Sequence, residues 1–252
     1  AEADALLSYL TTRQPTADGA EDLHFLSLKN DALVCLIQMD PPPANLGPLM
    51  VAMVRDETED PIWREYVLQY FGMYYRQKWP QGFHREPVGT SRAECIAMQH
   101  TLAAAMFHEE SGLSGTALIV VNDLTTDYPE FPVKVLYQAA LRVAESPLCS
   151  TASKVTALSI LGGNSDNLRS LGLIAGIAHN ENEPLAFRIT AVGQLARMAK
   201  SNVSAREKLQ DIAWLTETRA KNGIRIKKIA EHHLNKMHVK IEMNDIKNPT
   251  GK

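Results

Sequence analysis

Cysteine is scarce in this chain of 252 residues: Cys35, Cys95 and Cys149 stand far apart, with no CxxC spacing. That pattern argues against a disulfide framework or a zinc site. Each thiol lies in or beside an apolar segment and reads as a small buried side chain. No run of about eighteen apolar residues occurs, so no segment suits a membrane-spanning helix. Alternation of apolar and polar residues never lasts beyond a few positions. Leu118–Val121 is the best strand candidate, and it fits a short buried helix as well. Catalytic signatures are missing too: there is no GxSxG, no GxxxxGK[ST], and no GxGxxG following a strand. The 14 Gly and 13 Pro mostly punctuate apolar-periodic segments rather than forming linkers.

What fills the chain is amphipathic helix. Hydrophobic residues make up 45% of it, charged residues 22%, and the formal net charge is -3. Leu168, Leu171, Ile174, Ala175 and Ala178 recur at helical spacing within Asp166–His179, and Leu185, Ile189, Val192, Leu195, Ala196 and Ala199 do so within Pro184–Ala199. Similar units of turn, helix, break and helix begin near Phe131 and Val203, with a looser copy near Gly89. Their period is about 35–40 residues, the length of a two-helix repeat that must stack on its neighbours to bury its apolar faces. The other expected helices are Ala3–Thr12, Ala20–Met39, Asn45–Asp56, Pro61–Trp79, Ser91–Glu110, Ser114–Thr126, Pro132–Glu145, Thr151–Leu161, Ser204–Thr216 and Asn222–Met237. Asp60 and Asp166 suit N-caps, and Pro61, Pro132 and Pro184 suit first helical positions. Asp40-Pro41-Pro42-Pro43 is a rigid spacer, and Trp79–Thr90 a loop.

Pro184-Leu-Ala-Phe-Arg188-Ile-Thr-Ala191-Val-Gly-Gln-Leu195 resembles the second helix of a HEAT-type repeat, and Asp60-Pro61-Ile-Trp-Arg64 opens in the same manner. The resemblance spans about Asn45–Met237. The long helix Ser91–Glu110, and the missing Asp-Pro start before Ser114, depart from it. It implies an all-α fold, a right-handed α-α superhelix of about six antiparallel helix pairs. The second helices would line a concave surface that binds macromolecules. One domain is expected over 1–240, with an N-terminal pair in 1–40, repeats in 45–237, and a polar tail over 241–252.

Candidate contacts come from two features. Eight of the sixteen aromatic residues lie between Trp63 and Phe83, with Trp63, Tyr66, Tyr70 and Tyr74 on one helical stripe and Phe71 and Tyr75 on the next. One stripe suffices for a core, so some tyrosines are expected at a surface, where they serve binding well. Charge is also lopsided: from Arg219 onward nine Lys/Arg meet three acids, while the preceding 218 residues carry a net -9. A basic terminal helix suits an acidic partner, and it equally suits the solvated cap that repeats need. The binding face therefore comprises Tyr66, Tyr70, Tyr74, Arg76, Arg188, Arg197, Arg225 and Lys228.

These features predict a non-enzymatic helical-repeat scaffold that recognises a protein, with no cofactor and no metal. His232-His233 and His238 lack ligand spacing and a completing carboxylate. Helical-repeat hydroxylases hold iron through several His-Glu dipeptides, and this chain has one, His108-Glu109; Glu109-Glu110 point to different helix faces. The alternative is a HEAT-like DNA glycosylase gripping duplex DNA with Glu65 as its carboxylate. The acidic balance of the chain before Arg219 opposes nucleic acid, which demands Lys and Arg along the groove. The opening Ala1-Glu2-Ala3-Asp4 suits the end left by a cleaved leader, so export to a periplasm or outside the cell is favoured over the cytoplasm. The oligomeric state is open.

Overall fold

A computed structural model describes residues 2–14, 22–80, 90–108, 112–164, 167–214 and 221–247, less the side chains of Thr90, Lys221 and 238–247. All regular structure among the described residues is helical. The order is α1 (Glu2–Leu10), α2 (Leu23–Gln38), α3 (Leu46–Arg55), α4 (Pro61–Gln69), α5 (Phe71–Lys78), α6 (Thr90–Met106) and α7 (Leu113–Leu124). Then follow α8 (Val133–Glu145), α9 (Thr151–Leu161), α10 (Leu168–His179), α11 (Leu185–Met198), α12 (Val203–Trp214) and α13 (Lys221–Lys247). The strand candidate Leu118–Val121 is helix, inside α7. None of the described helices is long and apolar enough to cross a membrane. Phe83, Glu109, Glu110, Asp166 and Arg219 lie outside the described residues.

The helices begin where side chains can satisfy the free amides of a first turn. Asp60 accepts from the amides of Ile62 and Trp63, with Pro61 at the first helical position, and Asp22 serves His24 and Phe25 alike. At α10 the cap is Asn167, accepting from Arg169 and Ser170. The expected helix Pro61–Trp79 is two helices. At Tyr70 the backbone tightens, its amide reaching Val67 O three residues back at 3.2 Å, so α4 ends there and α5 begins at Phe71. The last helix continues through the expected tail to Lys247.

The chain divides into two compact units, Ala1–Ser153 and Lys154–Lys252. In the first, α1 packs on α2, α3 on α4, and α6 on α7, while α3 meets α6 and α4 meets α7. In the second, α10 pairs with α11 and α12 with α13. The first helices of these two pairs touch each other, as do the second helices. That is the stacking a two-helix period requires, and Leu168 and Val203 open successive pairs 35 residues apart. Fully buried Leu33, Leu36, Met50, Trp63 and Phe71 anchor the first core, and Ile174, Val192, Leu195 and Ala230 the second. Each such large side chain contributes about 1.5–3 kcal/mol by leaving water.

Close approach is set at Gly115, where a Cβ would stand 3.0 Å from Ser153 Cα, a backbone atom that cannot swing aside. Gly115→Ala should therefore cost about 1–3 kcal/mol by overpacking. Gly172, within α10, has nothing within 4 Å of such a Cβ. Gly172→Ala should be neutral or stabilise by up to about 1 kcal/mol. Urea midpoints of the two variants check the contrast; equal losses would contradict it.

Candidate functional site

The aromatic stripe of α4 and α5 divides between core and surface. Tyr66 and Tyr70 are half-buried, but Tyr74 is fully buried, so its placement on a binding face is corrected. Its hydroxyl donates to Glu94 Oε1 at 2.5 Å, and Lys78 Nζ lies 3.5 Å from Glu94 Oε2. Glu94 and Lys78 border a cavity of about 490 Å³ whose other walls include Ala44, Pro48, Val51 and Ser91. Beside it Tyr75 packs against Trp79, Tyr128 and Phe131, with ring centroids 4.8, 5.1 and 5.3 Å away. The Tyr75 hydroxyl donates to Glu130 Oε1 at 2.8 Å, accepts from Gln99 Nε2 at 3.0 Å, and sits 3.0 Å from Cys95 Sγ. Burial pushes the Cys95 thiol up to about 11, so it is protonated and unsuited to nucleophilic attack near neutrality. The sequence reading of a small buried thiol holds for Cys95 and Cys149 and is corrected for Cys35, which is exposed.

Arg76 is also committed within the fold. It donates to Asp123 Oδ2 at 2.6 Å and to the Asp123 carbonyl at 3.0 Å, tying α5 to the end of α7. Arg188 is corrected outright, being 3% exposed. Its Nε donates to Ala178 O at 3.2 Å, on the penultimate residue of α10. Arg64 does the same in α4, donating from Nε to Val54 O at 3.0 Å, on the penultimate residue of α3. Both arginines are the fourth residue of their helix, and each follows a buried aromatic, Trp63 or Phe187. A lysine faces each ring: Lys29 Nζ is 4.5 Å from the Trp63 ring centre, and Lys154 Nζ is 5.9 Å from that of Phe187. These arginines close the carbonyl end of the preceding helix, where positive charge is favoured.

The three remaining candidates, Arg197, Arg225 and Lys228, are exposed in the second unit. Arg197 lines a cavity of about 240 Å³ between α11 and α13, together with Lys200, His233 and Lys236. Gly193, Ala196 and Met237 complete its wall, and no carboxylate is among the described lining. On α13, Arg225, His232 and Lys236 follow one another at helical spacing, so the cavity opens beside a basic stripe. The sequence reading missed Lys200, His233 and Lys236. The pairs Arg197/Lys200 and His233/Lys236, each one turn apart, were the available signal. The division of the chain also sorts charge: residues 154–252 hold 16 Lys/Arg and 9 Asp/Glu, residues 1–153 hold 10 and 20. Glu65, the carboxylate of the glycosylase alternative, stands in this acidic first unit, its carboxyl held above the usual range by burial. The excess of acids in that unit disfavours phosphate contact, and the glycosylase alternative is not developed further. No group of His, Cys, Asp and Glu among the described residues could hold a metal ion.

Burial holds His233 below the ordinary histidine range, and His232, Lys236 and Lys200 press in the same direction. His179 is lowered first by burial as well, with Asp211 opposing and Lys208 and Arg188 adding to it. Both groups take a proton less readily folded than unfolded. Their contribution to stability is therefore full above about pH 6.5 and is lost as pH falls through the lower folded values. The thermal midpoint should decline from pH 7.5 to 5.5, and decline less when both histidines are replaced by Gln. An unchanged slope in that double variant would contradict the assignment.

No protein-family profile matches the chain, and no curated protein matches it. Among solved structures it is similar to human deoxyhypusine hydroxylase in complex with glycerol, at 13% identity. That match covers 92% of this chain and 95% of the other, with a TM-score of 0.39. The expectation of a non-enzymatic scaffold is corrected at this point. That similar structure is of a hydroxylase, an enzyme, and the expectation of a non-enzymatic scaffold is not carried further. A likeness at this level carries no residue of that enzyme over to this chain.

Proposed function

We propose that the chain recognises a protein partner through an acidic segment laid across α11 and α13. Arg197, Lys200, Arg225, Lys228 and Lys236 supply the attraction. The observation that supports this reading is the cavity ringed by Arg197, Lys200, His233 and Lys236 with no carboxylate among its described lining. Several cations elsewhere are paired: Arg13 with Asp56 and Glu59, Arg76 with Asp123, Lys208 with Asp211. Unpaired charges of one sign, gathered at one place, steer an oppositely charged partner and set its register. A HEAT-type repeat frame is part of the same reading. What supports it is the recurrence of Arg64 and Arg188 at the same helix position with the same carbonyl contact.

Fluorescence anisotropy with a labelled Asp/Glu-rich peptide tests the proposal. Binding should appear at about 50 mM salt and weaken strongly by about 300 mM, as the Debye length shrinks below the spacing of the charges. A peptide that fails to bind at the lower salt would overturn the reading.

A further inference from the structure

Resting on that reading, we infer that the cavity between α11 and α13 receives a phosphomonoester dianion, carried on a phosphorylated side chain of the acidic partner. Two segments each bring two basic side chains to the same opening: Arg197 at the end of α11 with Lys200 in the turn after it, and His233 with Lys236 on α13. A guanidinium and two ammonium groups match a group of nearly two negative charges with three acceptor oxygens, whereas a single carboxylate would leave most of them unanswered. Among the described residues, no carboxylate stands within ion-pair distance of Arg197, Lys200 or Lys236 to compete for them.

Size points the same way. A cavity of about 240 Å³ equals the liquid volume of about eight waters, more than a lone halide fills. It falls below the roughly 300–1,000 Å³ of sites for drug-sized ligands. A phosphoryl group with its short stem fits between those limits. Gly193 keeps the space open, since a Cβ there would meet nothing within 4 Å. Most of the wall is apolar, Ala196 and Met237 included, and that part suits the stem rather than the charge.

Calorimetric titration of the whole chain separates the possibilities. The ligands are an acidic peptide with one central phosphoserine, its serine twin, and free O-phosphoserine. The phosphopeptide should bind about tenfold or more tighter than the twin, the gain that one to three new charge-assisted hydrogen bonds bring. Gly193→Leu, which fills the cavity without changing charge, should erase that advantage. Arg197→Gln should shrink the advantage too, and serves if the leucine variant does not fold. Equal affinity for phosphopeptide and twin would overturn the inference while the acidic-partner reading stands. Free O-phosphoserine binding as tightly as the phosphopeptide would overturn the assignment to a polypeptide. Failure of all three ligands would overturn the acidic-partner reading itself.

Discussion

Replacing Tyr75 by alanine should destabilise the first unit by about 3–5 kcal/mol, the cost of deleting a large buried ring. The ring is fully buried and contacts Trp79, Tyr128 and Phe131, so little around it can collapse into the space. Tyr75→Phe keeps the ring and removes the hydroxyl shared by Glu130, Gln99 and Cys95. Glu130 Oε2 is already buried without a partner among the described residues, so the second oxygen would be stranded as well. That loss should cost about 1–3 kcal/mol, the desolvation penalty of an unsatisfied group. Urea unfolding of the two variants checks both figures. A phenylalanine variant as stable as the parent would show that the hydroxyl network contributes nothing.

Arg188→Met should cost about 1.5–3 kcal/mol, the range for a hydrogen bond from a charged donor. Methionine retains most of the apolar stem, so the loss reports on the bond to Ala178 O. Arg64→Met should lose a similar amount through Val54 O. If the two side chains were surface contacts, each change would stay within about 0.5 kcal/mol. Chemical denaturation of both variants, compared with Arg225→Met as an exposed control, decides the matter.

The helical period was legible because each pair must bury one face of each helix, and that demand writes the same spacing into every unit. Thr151–Leu161 has the expected bounds, and Leu168 and Val203 begin successive pairs near the expected starts. The break at Tyr70 was not legible, since Phe71 and Tyr74 continue the apolar spacing across it. Arg188 was misread as a surface residue because arginine is seldom buried. Its position carried the correction, for Ala191, Val192 and Leu195 follow it on the buried stripe, as Val67, Leu68 and Phe71 follow Arg64. The cavity could not be read from the chain. Each segment shows its own pair of basic side chains, but only packing of α11 on α13 sets the register that brings the pairs together.

The central claim is that this cluster, rather than the general charge of the second unit, holds the partner. The direct test is the affinity of an acidic peptide for the double variant Arg197→Glu/Lys236→Glu, with Arg206→Gln/Lys208→Gln as comparison. Arg206 donates to the Ala199 carbonyl, Lys208 lies 3.8 Å from Asp211, and neither lines the cavity. The account predicts that the cluster variant loses binding by about a hundredfold or more, the range for a few kcal/mol of lost attraction and added repulsion. It predicts that the comparison variant stays within about threefold, as two neutralised side chains outside the cavity lining remove little of its attraction. Equal losses in the two variants, with both chains folded by circular dichroism, would contradict it.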